Sequence, residues 1–267
     1  MVHPLFSPEI KLMLGERNAE ALRDFCEQLH PATVAEALDD EFSPEQMWEV
    51  IGHANIRTQA SIFEYLTPAQ QVLMAEKASP QLGQLLGKMS HDDRVDLLKR
   101  LPGRVAESVM RLVDEADRKD IATLFQYGEN TVGSLMTTDY AWLPATLTAA
   151  EAIDQLRQQA PDRETIYYIY VLDDARRDGS FGPRRLLGVV SLRDLILAPR
   201  HALIRELMET DLVTLRHDED QEAVAQLFAR YDFLAAPVVD EQFGLLGIVT
   251  HDDVLYVVRA EATEDMQ

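Results

Sequence analysis

Carboxylates at helix starts and turns dominate the reactive side chains of this sequence. Asp92 and Asp96 stand four residues apart, with Asp93 beside them at a cap position, and that spacing puts two side chains on one helix face. Further on, Glu222 opens an amphipathic stretch, Asp232 follows it, Asp252 and Asp253 open the next, and Glu261, Glu264 and Asp265 crowd the exit. Grouped carboxylates attract hard cations, which take oxygen ligands. A plainer reading stands beside this one: Asp92 and Asp93 complement a helix N-terminus, and 261–265 is a solvated tail. Ser191-Leu-Arg-Asp194 and Thr250-His-Asp-Asp253 have the spacing of capping boxes. The seven histidines show no His-x-x-x-His spacing and Cys26 is the single cysteine, so a zinc centre is not indicated. Gly244-Leu-Leu-Gly247 lacks the lysine of a phosphate loop.

The acidic excess is large and uneven. Over 267 residues there are 46 acidic and 25 basic side chains, a formal charge of −21. Such a surface repels phosphate backbones, and no Lys/Arg run offsets it, so no nucleic-acid partner is expected. Residues 201–267 hold fifteen Asp/Glu against four Lys/Arg, about half of the imbalance in the last quarter. A hydrophobic content of 46% suffices for one large or two medium domains. A lone cysteine fits a reducing compartment. With no signal peptide and no run of about 18 apolar residues, the chain taken alone is expected to be soluble and cytoplasmic.

Two grammars position these residues. From about Pro31 to Tyr127 the punctuation is His30-Pro31, Ser43-Pro44, Thr67-Pro68, Ser79-Pro80, Ser90-His91 and Pro102-Gly103. A hydroxyl followed by proline suits a helix start, because the oxygen accepts an orphan N–H and Pro at the first position sacrifices none. Ser43 with Gln46, and Thr67 with Gln70, fit capping boxes. Between the caps, Val34, Leu38, Met47, Val50, Ile51, Leu82, Leu85, Leu86, Val95, Leu97, Leu98, Val105, Val109 and Leu112 recur at helical spacing. Helices this short are marginal alone and must stack into a superhelical array of either hand. Cys26 and Trp48 read as core residues, Cys26 on the first helix.

From about Leu135 the residues become β-branched in runs. Leu135-Met-Thr-Thr-Asp139 returns as Leu207-Met-Glu-Thr-Asp211, and Leu186-Leu-Gly-Val-Val-Ser-Leu-Arg-Asp194 returns as Leu245-Leu-Gly-Ile-Val-Thr-His-Asp-Asp253. Two copies of a β-α-β-β-α unit follow. The first copy is longer, partly in the polar loop 173–185.

The tandem copies resemble a CBS-domain pair. The helical array followed by Tyr127-Gly-Glu-Asn-Thr-Val-Gly-Ser-Leu-Met-Thr-Thr138, together with Ala160-Pro-Asp-Arg-Glu-Thr-Ile-Tyr-Tyr-Ile-Tyr-Val171, Asp218-Glu-Asp-Gln-Glu222 and Ala260-Glu-Ala-Thr-Glu-Asp265, resembles the cytoplasmic portion of MgtE-family magnesium transporters over nearly the whole chain. The resemblance implies a superhelical domain over 1–133, CBS domains over 134–200 and 201–259, and from 260 to 267 the start of a linker helix to a transmembrane domain. It implies a non-enzymatic Mg²⁺ sensor, a homodimer through the CBS domains, and a place on the cytoplasmic face of the inner membrane. Chain end at Gln267 is read as an isolated portion of a longer transporter.

As ligands the resemblance implies Asp92, Asp96, Asp232, Asp253, Glu261 and Glu264, with Glu222 and Asp265 as lesser carry-overs. The pattern departs at Tyr256, Ser61 and Ser134. CBS clefts also hold adenine nucleotides. On that likeness Ser191 and Asp194 would meet a ribose, Tyr168, Phe233 and Pro237 would enclose adenine, and Arg193 would approach phosphate, making ATP a second candidate ligand. A free-standing nucleotide-sensing CBS regulator is the alternative function. The capping reading of Ser191 and Thr250 stays open beside it.

Overall fold

The computed structural model describes residues 6–38, 41–77, 79–128, 130–173 and 183–264. It divides into two compact units, Met1–Ala122 and Thr123–Gln267.

The first unit is a run of short helices: α1 (Ser7–Glu16), α2 (Ala19–Gln28), α3 (Pro31–Ala37), α4 (Pro44–Ile51), α5 (Ile56–Glu64), α6 (Pro68–Lys77), α7 (Ser79–Leu86), α8 (His91–Arg100), α9 (Gly103–Met110) and α10 (Glu115–Leu124). Each helix from α2 to α7 packs on the helix two places further on, α2 on α4 through α7 on α9. That pairing of alternate helices winds the run into the expected array. Its core takes the positions picked out by spacing: Val34, Val50, Ile51, Leu82, Leu85, Leu86 and Leu97 are fully buried. Leu112 departs from the expectation: it lies two residues past the end of α9 and is 49% exposed, with one side packed on Gly83 of α7. Cys26 is buried as expected, but on the second helix rather than the first.

Both capping boxes form. Ser43 Oγ accepts from Gln46 N at 3.3 Å and Gln46 Oε1 accepts from Ser43 N at 2.9 Å. Thr67 and Gln70 exchange the same pair at 3.3 and 3.0 Å. Gln70 also donates through Nε2 to Leu38 O at 2.7 Å, so a cap doubles as a tie to the end of α3. Trp48 is buried, donates to Met74 O at 2.9 Å and stacks on Phe63.

The second unit contains α11 (Val132–Leu135), β1 (Tyr140–Pro144), α12 (Ala149–Gln159), β2 (Thr165–Leu172), β3 (Leu186–Ser191) and α13 (Leu192–Leu197). The second copy follows with α14 (Ile204–Leu207), β4 (Leu215–Arg216), α15 (Gln221–Tyr231), β5 (Ala235–Val239), β6 (Leu245–Thr250) and α16 (His251–Glu264). Each copy makes a three-stranded sheet, β1-β2-β3 and β4-β5-β6, with the first pair parallel and the second antiparallel. Alternation along β2 sends Ile169 and Val171 to the helices of the first copy. It sends Tyr170 and Leu172 into a seam with Leu186, Ala235, Val239, Leu245 and Ile248, rimmed by Tyr140, Trp142, Tyr168, Val189 and Leu212.

The two copies exchange their lead-in segments. Val132 N donates to Glu219 O and Gly133 N to His217 O, both at 2.9 Å, and Thr137 pairs with Ile248 of β6. Reciprocally, Ile204 N donates to Leu147 O at 2.9 Å, Arg205 N to Ala145 O at 3.1 Å, and Glu209 pairs with Val189 of β3. The exchange demands glycine at two matching places. A Cβ on Gly188 would lie 2.7 Å from Glu209 O, and one on Gly247 would lie 2.6 Å from Thr137 O. The repeated Leu-Met and Leu-Leu-Gly motifs are therefore the two sides of one contact, written twice.

Candidate functional site

Asp92 and Asp96 lie half-buried in the first turns of α8. Asp96 meets Arg100 one turn on at 3.8 Å. The start of α8 is held from another helix: Glu64, the last residue of α5, accepts from Ser90 N at 3.0 Å, while Ser90 Oγ donates to Asp93 Oδ2 at 3.1 Å. Burial, and then the Asp93 charge, push the Glu64 carboxyl up to about 7. Residue-by-residue reading missed Glu64, since only the fold carries it from α5 to the start of α8.

In the second unit, Asp232 is the C-terminal cap residue of α15, in the left-handed region at φ 53°. Asp253 sits in the first turn of α16. The register places Ala235 opposite Thr250, and His251 N donates to Leu234 O at 3.0 Å. Asp232 and Asp253 thus flank the same end of the β5–β6 pair. Thr250 Oγ1 approaches Asp252 Oδ1 at 2.6 Å and also bonds Asp253 Oδ2. Glu222 is exposed in the first turn of α15, about 15 Å along the helix from Asp232 at 1.5 Å per residue. Glu261 and Glu264 fall on the last turns of α16, whose helix runs unbroken from the second copy into the exit segment. Asp265 lies outside the described residues. Among the described residues, no three His, Cys, Asp or Glu side chains stand together so as to hold an ion within one group.

The nucleotide candidates divide. Tyr168 pairs with Ser191 across β2–β3 and rims the seam. Ser191 Oγ donates to Asp194 Oδ2 at 2.6 Å and accepts from Asp194 N at 3.0 Å, so the capping reading holds in this state. Arg193 and Asp194 are exposed. Phe233 stacks on Tyr231, 5.4 Å between centroids at 15°, with Phe228 edge-on at 5.9 Å. Pro237 is buried in β5 opposite Ile248. Unforeseen from spacing is Tyr170, on the same face of β2 as Tyr168. Its side chain is 1% exposed and its hydroxyl is buried without a hydrogen-bond partner among the described residues. Burial, then the neighbouring Tyr168, hold that phenol well above its ordinary range. Arg184 lies over the Trp142 ring, 4.0 Å from its centroid, at the rim of the seam.

Comparison with known proteins places this geometry. Residues 29–130 match the MgtE intracellular N domain, and 132–201 and 204–260 match the CBS domain. The magnesium transporter MgtE of Thermus thermophilus is 40% identical over 257 residues, 95% of this chain and 55% of that protein. The magnesium transporter MgtE of Bacillus subtilis is 32% identical over 241 residues, 85% of this chain and 52% of that protein. The chain therefore spans about half the length of the curated relatives it matches. Among solved structures, the cytosolic domain of the Mg²⁺ channel MgtE in complex with ATP superposes with a TM-score of 0.84 at 37% identity, covering 94% of this chain and 99% of that one. The soluble part of a magnesium transporter gives a TM-score of 0.86 at 29% identity, covering 96% and 98%.

Proposed function

Because the chain belongs to the MgtE family of magnesium transporters and matches their cytosolic portion, we propose that it is the Mg²⁺-sensing regulatory region of such a transporter. In the whole protein it would lie on the cytoplasmic face of the inner membrane, joined through the exit of α16 to a transmembrane domain. The observation that carries this reading is the division of carboxylates between the two units: Asp92 and Asp96 open α8 in one, while Asp232 and Asp253 flank one strand end in the other. The donor set fits the ion. Mg²⁺ takes oxygen ligands in an octahedron, keeps several waters, and commonly uses only one or two carboxylates per site. No single group in either unit has to enclose it.

In this mechanism the bare carboxylates of the two units repel, and bound Mg²⁺ supplies the positive charge that lets them close. Glu261, Glu264 and Asp265 extend the same acidic set into the exit segment, with Glu222 as a further ligand. Closing or separating the units shifts the population of states presented to the membrane domain through α16. The test is a Mg²⁺ titration of the melting temperature and the scattering radius. The expected outcome is a higher melting point and a smaller radius at millimolar Mg²⁺, with the midpoint raised several-fold by Asp92→Asn with Asp96→Asn, or by Asp253→Asn. An unresponsive wild-type chain would overturn the proposal.

A second ligand has its own support. The seam offers the aromatic side chains of Tyr140, Trp142 and Tyr168 and a Tyr170 hydroxyl that has no partner among the described residues. The Ser191–Asp194 turn beside it carries Arg193, where the second copy has Asp252 at the matching place. The difference favours a polyphosphate at the first turn and opposes it at the second. We assign adenine nucleotide to the first, with ATP the probe in calorimetry; binding is expected to be lost in Asp194→Ala and kept in Asp253→Ala.

A further inference from the structure

Arg100 ends α8 one turn after Asp96, and its guanidinium divides between two partners. Nη2 lies 3.8 Å from Asp96 Oδ2, and Nη1 donates to Gln71 Oε1 at 2.9 Å. Gln71 is 5% exposed and its amide is fixed from the other side, because Nε2 donates to Phe63 O at 2.9 Å and to Glu64 O at 3.2 Å. Those carbonyls belong to the last turn of α5, where the helix itself supplies no donors for them. Gln71 thus covers the end of α5 with its nitrogen, and its oxygen is left aimed at Arg100.

An exposed ion pair gains little when two long side chains must both give up their freedom to meet. Here a buried amide orders the guanidinium independently of Asp96, and one planar fork of N–H donors serves both partners. Arg100 also stands in the last turn of α8, where the helix dipole favours a cation. The fold therefore fixes a positive charge beside Asp96. Any Mg²⁺ that takes this carboxylate must share it with, or win it from, a charge of its own sign.

We propose that Arg100 is a tethered counter-cation: it holds Asp96 in the ion-free chain and competes with Mg²⁺ for that carboxylate, which raises the concentration at which the α8 carboxylates take the ion. Arg100 is a positioning residue that acts only through Asp96, with Gln71 keeping it in place. The proposal rests on the sensing reading above and adds to it the side chain that sets its threshold.

A double-mutant cycle on the whole 267-residue chain tests this. Read as the Mg²⁺ midpoint of the rise in melting temperature, Arg100→Gln is expected to lower the midpoint about two- to fivefold, the range of an exposed pair. In the Asp96→Asn background, where Asp92 still supports a response, the same change should have no such effect. Arg100→Lys keeps the charge but cannot serve Asp96 and Gln71 with one fork, so its midpoint should fall between those of Arg100→Gln and wild type. An unchanged or raised midpoint in Arg100→Gln would overturn the proposal. So would an equal drop with Asp96→Asn, the mark of net charge alone. A second arm needs no ion: in urea without Mg²⁺ the same cycle should show a coupling of about 1.5- to fivefold in the folding constant, and additive effects would mean that Arg100 does not hold Asp96. If wild type gives no Mg²⁺ response, the sensing reading fails and the threshold role with it, while the metal-free cycle still decides whether the pair is made.

Discussion

Glu64 places a proton equilibrium at the start of the helix that carries Asp92 and Asp96. Its folded carboxyl lies at about 7 against an ordinary 4.5, chiefly because burial disfavours the charge. The folded chain therefore binds more protons than the unfolded chain between those values, and stability falls as pH rises through that window. Glu64→Gln keeps an acceptor for Ser90 N but carries no charge, so the loss of urea resistance between pH 5 and pH 8 should be smaller than in wild type. An unaltered slope would remove Glu64 from the account. Tyr170 poses the complementary case, a buried hydroxyl with no partner among the described residues. Leaving such a group unpaired costs about 1–3 kcal/mol, so Tyr170→Phe is expected to melt at the same temperature or higher without nucleotide. A lower melting point would mean that the hydroxyl is satisfied in solution.

Among the elements, the clearest regularity is the helix starts at 31, 44, 56, 68, 79, 91, 103 and 115. Most were legible because Ser, Thr or His before a first-turn residue announces a cap. The start at Ile56 was not, because its cap is Asn55 without a proline behind it. Asn55 Oδ1 accepts from Arg57 N and Thr58 N at 3.1 Å, and its own N–H groups reach Glu27. Asn55→Ala should cost about 1 kcal/mol of stability, read as a lower denaturant midpoint; no change would mean that Glu27 alone holds the turn. The tandem β-α-β-β-α units were legible from their repeated words, and β3 and β6 fall inside the repeats 186–194 and 245–253. What the words could not convey was exchange: Leu-Met at 135 contacts the Gly247 strand and Leu-Met at 207 the Gly188 strand, a crossing that depends on tertiary placement. Candidate carboxylates were legible as types, whereas the grouping of Asp232 with Asp253 needed the register of β5 on β6.

For the molecule as a whole, the second unit leaves an apolar surface uncovered on its matching helices α13 and α16. Ile196 is 63% and Leu197 69% exposed, and Leu255, Tyr256 and Val258 are exposed on α16. Patches of this kind mark association surfaces, and this one fits the homodimer through the CBS domains that the resemblance implies. Ile196→Glu with Leu197→Glu is expected to convert a dimer to a monomer in light scattering without lowering the melting point by more than a few degrees; a monomeric wild type, or a dimeric variant, would argue against this face. The same scale gives the lead-in exchange its widest meaning. Because each repeat's sheet pairs at its edge with a lead-in segment from the other, a chain severed near residue 200 yields two pieces that each carry an open edge and a spare segment. Those pieces are built to recombine, and a lone repeat could close its edge only by borrowing from a second chain. The tandem is in that sense a two-chain handshake folded into one polypeptide, and at high concentration the same grip offers neighbouring molecules a way to trade parts.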